Sequence, residues 1–245
     1  MVADRRSVMK SVLVWDMPIR LFHWLLAACC IASFALAFAS PEKSQAFDWH
    51  MLIGLFLVPL IIFRLRWGFT GTTYSRFRSF IYSPIKAVAY LVSMIKGNSE
   101  RHISHNPAAS YAILAMLVLV PGSVVSGILI PNGKVFQELH EIVSFLLLGT
   151  IGAHFIGILF HTLVHKENVV LSMLTGRKTA NDNVGIRSAH RFVALFLLVL
   201  TGVWSVTVIK KYDFTTRRLE VPLAGTVLQF GKNVQGDGAH EEDDD

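Results

Sequence analysis

The 245-residue chain carries 23 Lys and Arg against 17 Asp and Glu, a formal net charge of +6, yet only 16% of its residues are charged and 53% are hydrophobic. Soluble domains carry roughly 25% charged residues, so this shortfall, with a mean hydropathy of +0.49, excludes an ordinary water-soluble enzyme. The basic surplus lies beside long apolar blocks and forms no basic stripe of its own, which argues against a nucleic-acid partner.

Five apolar blocks follow in order, at about 19–39, 49–67, 109–130, 139–163 and 189–209. Each approaches the roughly 20 residues that a helix needs to cross a hydrocarbon core of about 30 Å. The first follows a basic stretch but lacks a small-residue cleavage pattern, so it reads as a retained span. Pro18 falls in its first turn, where a missing N–H costs little, and Trp15 and Trp24 are expected at the membrane interface. The connection 68–108 is long for a helical bundle. Within it, residues 84–96 are apolar, too short to span and flanked by lysines, which predicts a helix lying in the interface. Gly97-Asn98 ends that helix, and His105-Asn106-Pro107 opens the third span. Pro131-Asn132-Gly133 makes a sharp turn, and residues 176–188 read as a polar link. The hydrophilic tail 210–245 ends in Glu241-Glu242-Asp243-Asp244-Asp245 and is expected to be partly disordered. The adjacent Cys29 and Cys30 lie inside a span and are expected only to pack. With no C-x-x-C-H, any haem is held without thioether bonds.

Lys and Arg near the span ends give the expected orientation. The basic groups Arg5, Arg6, Lys10 and Arg20, then Arg64 to Arg101, then Lys166 to Arg191, alternate with nearly neutral turns around Glu42/Lys43 and Lys134/Glu138. The N-terminus is therefore expected in the cytoplasm and the C-terminus, after five spans, outside. Lys210, Lys211, Arg217 and Arg218 run against that scheme.

Of the 10 histidines, His23, His50, His140, His154 and His161 lie in or beside spans, where an ionisable group usually has a functional reason. His140 and His154 are 14 residues apart, which on a helix is a rise of about 21 Å and roughly 40° short of whole turns. One face of span four therefore carries two imidazoles, one near each membrane surface. Topology places His23 at the depth of His154 and His50 at the depth of His140. Two pairs result, His23/His154 and His50/His140, each with the bis-histidine ligation that a six-coordinate haem b iron requires. The alternatives are interhelical hydrogen bonding for single histidines, and zinc, for which each site offers only two ligands. Arg20, one turn before His23, is the expected partner of a haem propionate, with Arg64 or Arg66 as further candidates. His161 and His165, at i,i+4, suit a proton path or a quinone head group, against the plainer role of interfacial residues. His102 and His105 are expected to cap or be solvated, and His190 to anchor span five.

Residues 14–24 (Val-Trp-Asp-Met-Pro-Ile-Arg-Leu-Phe-His-Trp) resemble the opening motif of the prokaryotic cytochrome b561 family, which overlaps the b-type cytochrome subunits of Ni/Fe hydrogenases. His50-Met-Leu-Ile-Gly54, Phe63-Arg64-Leu65-Arg66-Trp67-Gly68-Phe69-Thr70-Gly71, His105-Asn106-Pro107, His140-Glu141 and Met173-Leu174-Thr175-Gly176-Arg177-Lys178 are similar to its later motifs, in order, over about residues 11–178. Ser104 stands where members usually have Gly. The resemblance implies a four-helix di-haem protein exchanging electrons with quinones, and its ligand pattern falls on His23, His50, His140 and His154.

The expected architecture is thus all-α: an integral membrane four-helix bundle binding two haems over 1–178, a link at 179–188, an additional transmembrane helix at 189–209 and a polar external tail at 210–245. The expected function is electron transfer in the bacterial inner membrane, as part of a respiratory chain. It would run between quinone and a periplasmic partner, either a c-type cytochrome or a hydrogenase or dehydrogenase of which the chain is a subunit. A non-redox metal-binding or anchoring bundle is the competing class. Pro59 and Pro121 could break spans as in transporters, but no internal repeat accompanies them.

Overall fold

The computed structural model describes residues 9–221 and 227–230. Among these, five helices are long and apolar enough to cross a membrane. They are α1 (Met17–Ala39), α2 (Gln45–Thr70), α4 (Pro107–Leu129), α5 (Lys134–His165) and α7 (Arg191–Lys211), and α3 (Pro84–Ile95) is the short apolar helix expected from the sequence. Their starts are written locally. Asp16, Ser44, Ser83 and Asn106 each accept a backbone N–H from three residues on, and Pro follows directly in the first turn of α1, α3 and α4. Large apolar side chains such as Phe38, Val118, Ile156 and Phe192 point outward, as suits helices whose solvent is lipid. This is the all-α membrane bundle that the sequence predicts.

The helices pack as two antiparallel pairs, α1 with α2 and α4 with α5, with α2 also meeting α4. The expected fifth span, α7, lies against α2 and α1. Two short segments escaped the sequence reading. One is α6 (Val169–Thr175) and the other is a strand pair, β1 (Met9–Leu13) with β2 (Arg177–Asn181), antiparallel in the register Met9↔Asn181 to Leu13↔Arg177. The segment expected as a polar link therefore supplies a strand, because Gly176, in the left-handed region, turns the chain back against residues 13–15. Trp15 packs into the same corner. It is buried, and its Nε1 donates to Ser172 Oγ at 3.3 Å.

At the opposite end, part of the polar tail forms a three-stranded antiparallel sheet of β3 (Tyr212–Asp213), β4 (Arg218–Glu220) and β5 (Val227–Gln229). The acidic end, where disorder is expected, lies outside the described residues. The tail cations that strain the charge rule are largely paired. Arg217 bonds Asp48 at 3.1 Å, Lys211 bonds Glu220 at 3.0 Å, and Arg218 donates to Gln229 at 2.7 Å.

Pro59 explains how α7 is held. Proline has no N–H, so the carbonyl four residues earlier, that of Leu55, loses its helical partner. Trp204 of α7 donates its Nε1 to that oxygen at 2.9 Å. A carbonyl freed within an apolar span needs a replacement donor, and the fifth helix provides one. Trp204→Phe keeps the ring but strands the carbonyl, and is expected to weaken the α7–α2 association by about 1–3 kcal/mol. Thermal dissociation in detergent would register this as a lower midpoint.

Candidate haem sites

The site geometry begins with α5. Its buried residues are Leu147 and His161, which share with His140 and His154 a spacing of seven residues. Seven residues return to nearly the same face, about 20° short of two turns, so one stripe of α5 faces inward. His140 and His154 both lie on it.

The structure brings His50 and His140 together. Their ring centroids are 6.2 Å apart with the rings nearly perpendicular, at 84°. Each ring is fixed through its Nδ1. His50 donates to the carbonyl of Ser33 at 2.9 Å, with Ser33 Oγ also at 2.9 Å. His140 donates to the carbonyl of Ser123 at 2.9 Å, with Ser126 Oγ at 3.3 Å. A carbonyl only accepts, so Nδ1 must carry the proton in both rings, and Nε2 carries the lone pair. This is how metal-binding imidazoles are oriented by their surroundings. Gly127 makes room for one of them, since a Cβ there would stand 3.1 Å from His140 Cε1.

His23 and His154 lie within electrostatic reach of each other. The Nδ1 of His23 is buried and has no hydrogen-bond partner among the described residues. Arg20 donates its Nε to the Met173 carbonyl at 3.2 Å and is only partly buried, so it borders this site from α1. Arg64, a further candidate, already has partners in the structure. It is buried, donates to the Ser75 carbonyl at 3.0 Å and lies 4.9 Å over the Phe77 ring.

These two places fit haem b. A metal–nitrogen bond is about 2 Å, so two imidazoles on one iron hold their centroids roughly 6 Å apart, close to the spacing of His50 and His140. The fixed tautomers, the orphaned nitrogen of His23 and the glycine beside His140 suit the same group. Among the described residues no cluster of three His, Cys, Asp or Glu could hold a metal ion, which leaves zinc without a ligand set there.

Beneath the His23/His154 site lies a polar node that the sequence reading missed. Asp16 is fully buried. Besides capping α1 through Ile19 N at 2.8 Å, it accepts from Trp67 Nε1 at 3.2 Å and from Ser75 Oγ at 2.6 Å. Thr72 Oγ1 donates to it as well. Four donors satisfy a carboxylate buried this deeply. The N-cap role was legible in Asp16-Met17-Pro18, but the partners lie more than 50 residues away. His105 is a correction of a different kind. Expected at a solvated turn, it is half-buried, with its Nδ1 shut off from solvent and its ring 4.9 Å from Trp15 and 4.8 Å from Phe80. Burial, together with the charges of Arg64 and Lys178, pushes its pKa down to about 3. The unfolded chain therefore takes up a proton below about 6.5 that the fold refuses, so stability is full above that pH and falls as pH drops toward 3. Thermal midpoints at pH 7 and pH 5 should differ, and His105→Phe should reduce the difference.

The family model for prokaryotic cytochrome b561 matches residues 14–176, about two-thirds of the chain, from the Trp15-Asp16 motif to the glycine before β2. No curated protein and no solved structure matches significantly. The chain belongs to the prokaryotic cytochrome b561 family, and is a membrane b-type cytochrome that transfers electrons.

Proposed function

We propose that the chain is a di-haem cytochrome carrying electrons between quinone in the bacterial inner membrane and a periplasmic redox partner. In this reading one haem b is held between His23 and His154 and the other between His50 and His140. The observation that carries it is the His50/His140 pair, whose ring centroids stand 6.2 Å apart with both Nε2 lone pairs available. Bound haem b supplies one-electron exchange between ferric and ferrous iron. The four imidazoles would hold the two haem irons, two to each, and would leave them to one-electron exchange. Because α5 contributes one ligand to each site, about 21 Å apart along its axis, the sites fall toward opposite membrane surfaces. The N-terminus is placed in the cytoplasm and the tail sheet in the periplasm. Residues 1–178 form the di-haem unit, 179–188 a link, 189–209 the added span and 210–245 the external tail.

The partner is either a c-type cytochrome or a hydrogenase or dehydrogenase that uses this chain as its membrane subunit. The acidic residues 241–245 favour a basic soluble cytochrome through long-range attraction. The test is a purified protein in lipid nanodiscs, titrated with quinol and with a soluble c-type cytochrome. Two haems per chain with low-spin spectra, reduced by quinol and reoxidised by the cytochrome in a salt-dependent step, is the expected result. One haem or none overturns the two-site reading, and salt-independent reoxidation removes the role of the acidic tail.

A further inference from the structure

The His23/His154 end of the bundle contains a buried histidine that the electron-transfer reading leaves unused. His161 lies seven residues beyond His154 on the inward stripe of α5, a rise of about 10.5 Å. It is buried, and neither ring nitrogen has a hydrogen-bond partner among the described residues. Unsatisfied buried nitrogens are uncommon and call for an explanation. Its Nε2 stands 3.7 Å from Glu167 Oε2, and its ring centroid is 4.5 Å from that of His165. Glu167, just past the end of α5, is itself nearly buried. It is bonded by Lys178 of β2 at 3.1 Å and by Arg101 of the α3–α4 connection at 3.1 Å. His165 shares a hydrogen bond with Ser99 at 2.9 Å, and His102 lies nearby on the same connection, within electrostatic reach of His165.

Two surface grooves end on this group. Both are lined by Arg101, Glu167 and Lys178; one also includes His102 and the other His165. Glu167 is therefore the wall between solvent and His161. The His161 imidazole beside it, with the Lys178 and Arg101 cations, holds the Glu167 carboxyl down at about 2 against its burial, so it stays anionic at any physiological pH. The Glu167 carboxylate 3.7 Å from Nε2 gives His161 a counter-ion, and the grooves on its far side connect that carboxylate to solvent. Such an arrangement suits transit better than storage.

We propose that His161, with Glu167 as its counter-ion, is the proton-exchange site for quinone at this end of the bundle. The inference rests on the quinone reading above. A quinone becomes a quinol by gaining two electrons and two protons. The cytochrome delivers the electrons one at a time. For each proton, the N–H bond of protonated His161 breaks as an O–H bond forms on a quinone oxygen. His161 is then reprotonated from the groove past Glu167 and His165. Quinol oxidation runs the same steps backwards.

The test uses the haem-loaded protein, reduced beforehand and mixed with a short-chain ubiquinone analogue in a stopped-flow instrument across pH 5.5–8.5. Ferricyanide, which takes an electron and no proton, serves as the comparison oxidant. His161→Leu should slow reoxidation by the quinone about 100-fold, the scale of a lost general acid, and remove its pH dependence, with the ferricyanide rate and the haem spectrum retained. Glu167→Gln should slow the quinone reaction in the same selective way. Equal quinone rates for wild type and His161→Leu overturn the proposal. If His161→Leu is slow with both oxidants, Glu167→Gln decides, and a wild-type quinone rate in that variant also overturns it. A wild-type protein that quinone fails to oxidise overturns the quinone reading itself, a result distinct from the failure of His161.

Discussion

His154→Ala is expected to release one haem and retain the other. On the proposed pairing it removes one ligand from the site shared with His23 and leaves His50 and His140 untouched, some four turns away along α5. Haem content should fall from two per chain to one, and the redox titration from two steps to one. His140→Ala should give the complementary protein. The two variants differ in one respect. His140 is held by the Ser123 carbonyl and borders Gly127, so its loss leaves a carbonyl of α4 without that donor. The Nδ1 of His23 has no such partner, so the His23/His154 site has less to lose besides its ligands. If either variant loses both haems while staying folded, the two sites are not independent and the pairing is wrong.

Arg217→Ala should produce the largest loss of structure outside the haem sites. Arg217 and Asp48 form a buried ion pair with side-chain exposures of 7% and 2%. The guanidinium also donates to the carbonyls of Glu42 and Ser44, each at 3.2 Å. Removing the cation leaves an unpaired carboxylate at the start of α2, a change that typically costs about 3–5 kcal/mol. Tyr212 lies beside the same carboxylate, and burial next to it raises the phenol above its ordinary range, so the ring stays neutral and supplies no cation in place of Arg217. Limited proteolysis should cut the β3–β4 turn of Arg217→Ala much faster than that of the wild type. The double replacement Arg217→Met with Asp48→Leu should recover most of the loss, since removing both charges of a buried pair is far cheaper than removing one. A single variant as resistant as the wild type would show that the ion pair contributes nothing to docking the tail.

What could be read from sequence divides along a physical line. Spans, caps and the short apolar α3 were legible because each depends on neighbours within a few residues: apolar length, an Asp or Asn followed by Pro, a terminal Gly97. The approach of His50 to His140 was legible because helix geometry converts sequence number into height. Asp16 and His105 were not, since burial there is made by Trp67, Ser75 and Phe80, brought in from distant turns. The β1–β2 pair was hidden for the same reason: Lys10 and Lys178 look like interfacial charges, and five residues of mixed polarity give no strand period. Trp204 and Pro59 were each visible alone. Only packing shows that one supplies the hydrogen bond that the other removes.

The β1–β2 pair also sets an order of assembly. Residues 9–13 leave the ribosome well before residues 177–181 but can pair only once these exist. At usual elongation rates of about 5–20 residues per second, that wait is on the order of ten to thirty seconds. During this interval the first four spans are made one after another, and none of them is tied at the end that holds His23 and His154. Closing the strand pair marks the moment the bundle becomes a ring of contacts, and it comes before α7 has been made. A nascent chain halted near residue 170 should therefore hold its first four spans without the tie, and should be the form most open to cofactor entry.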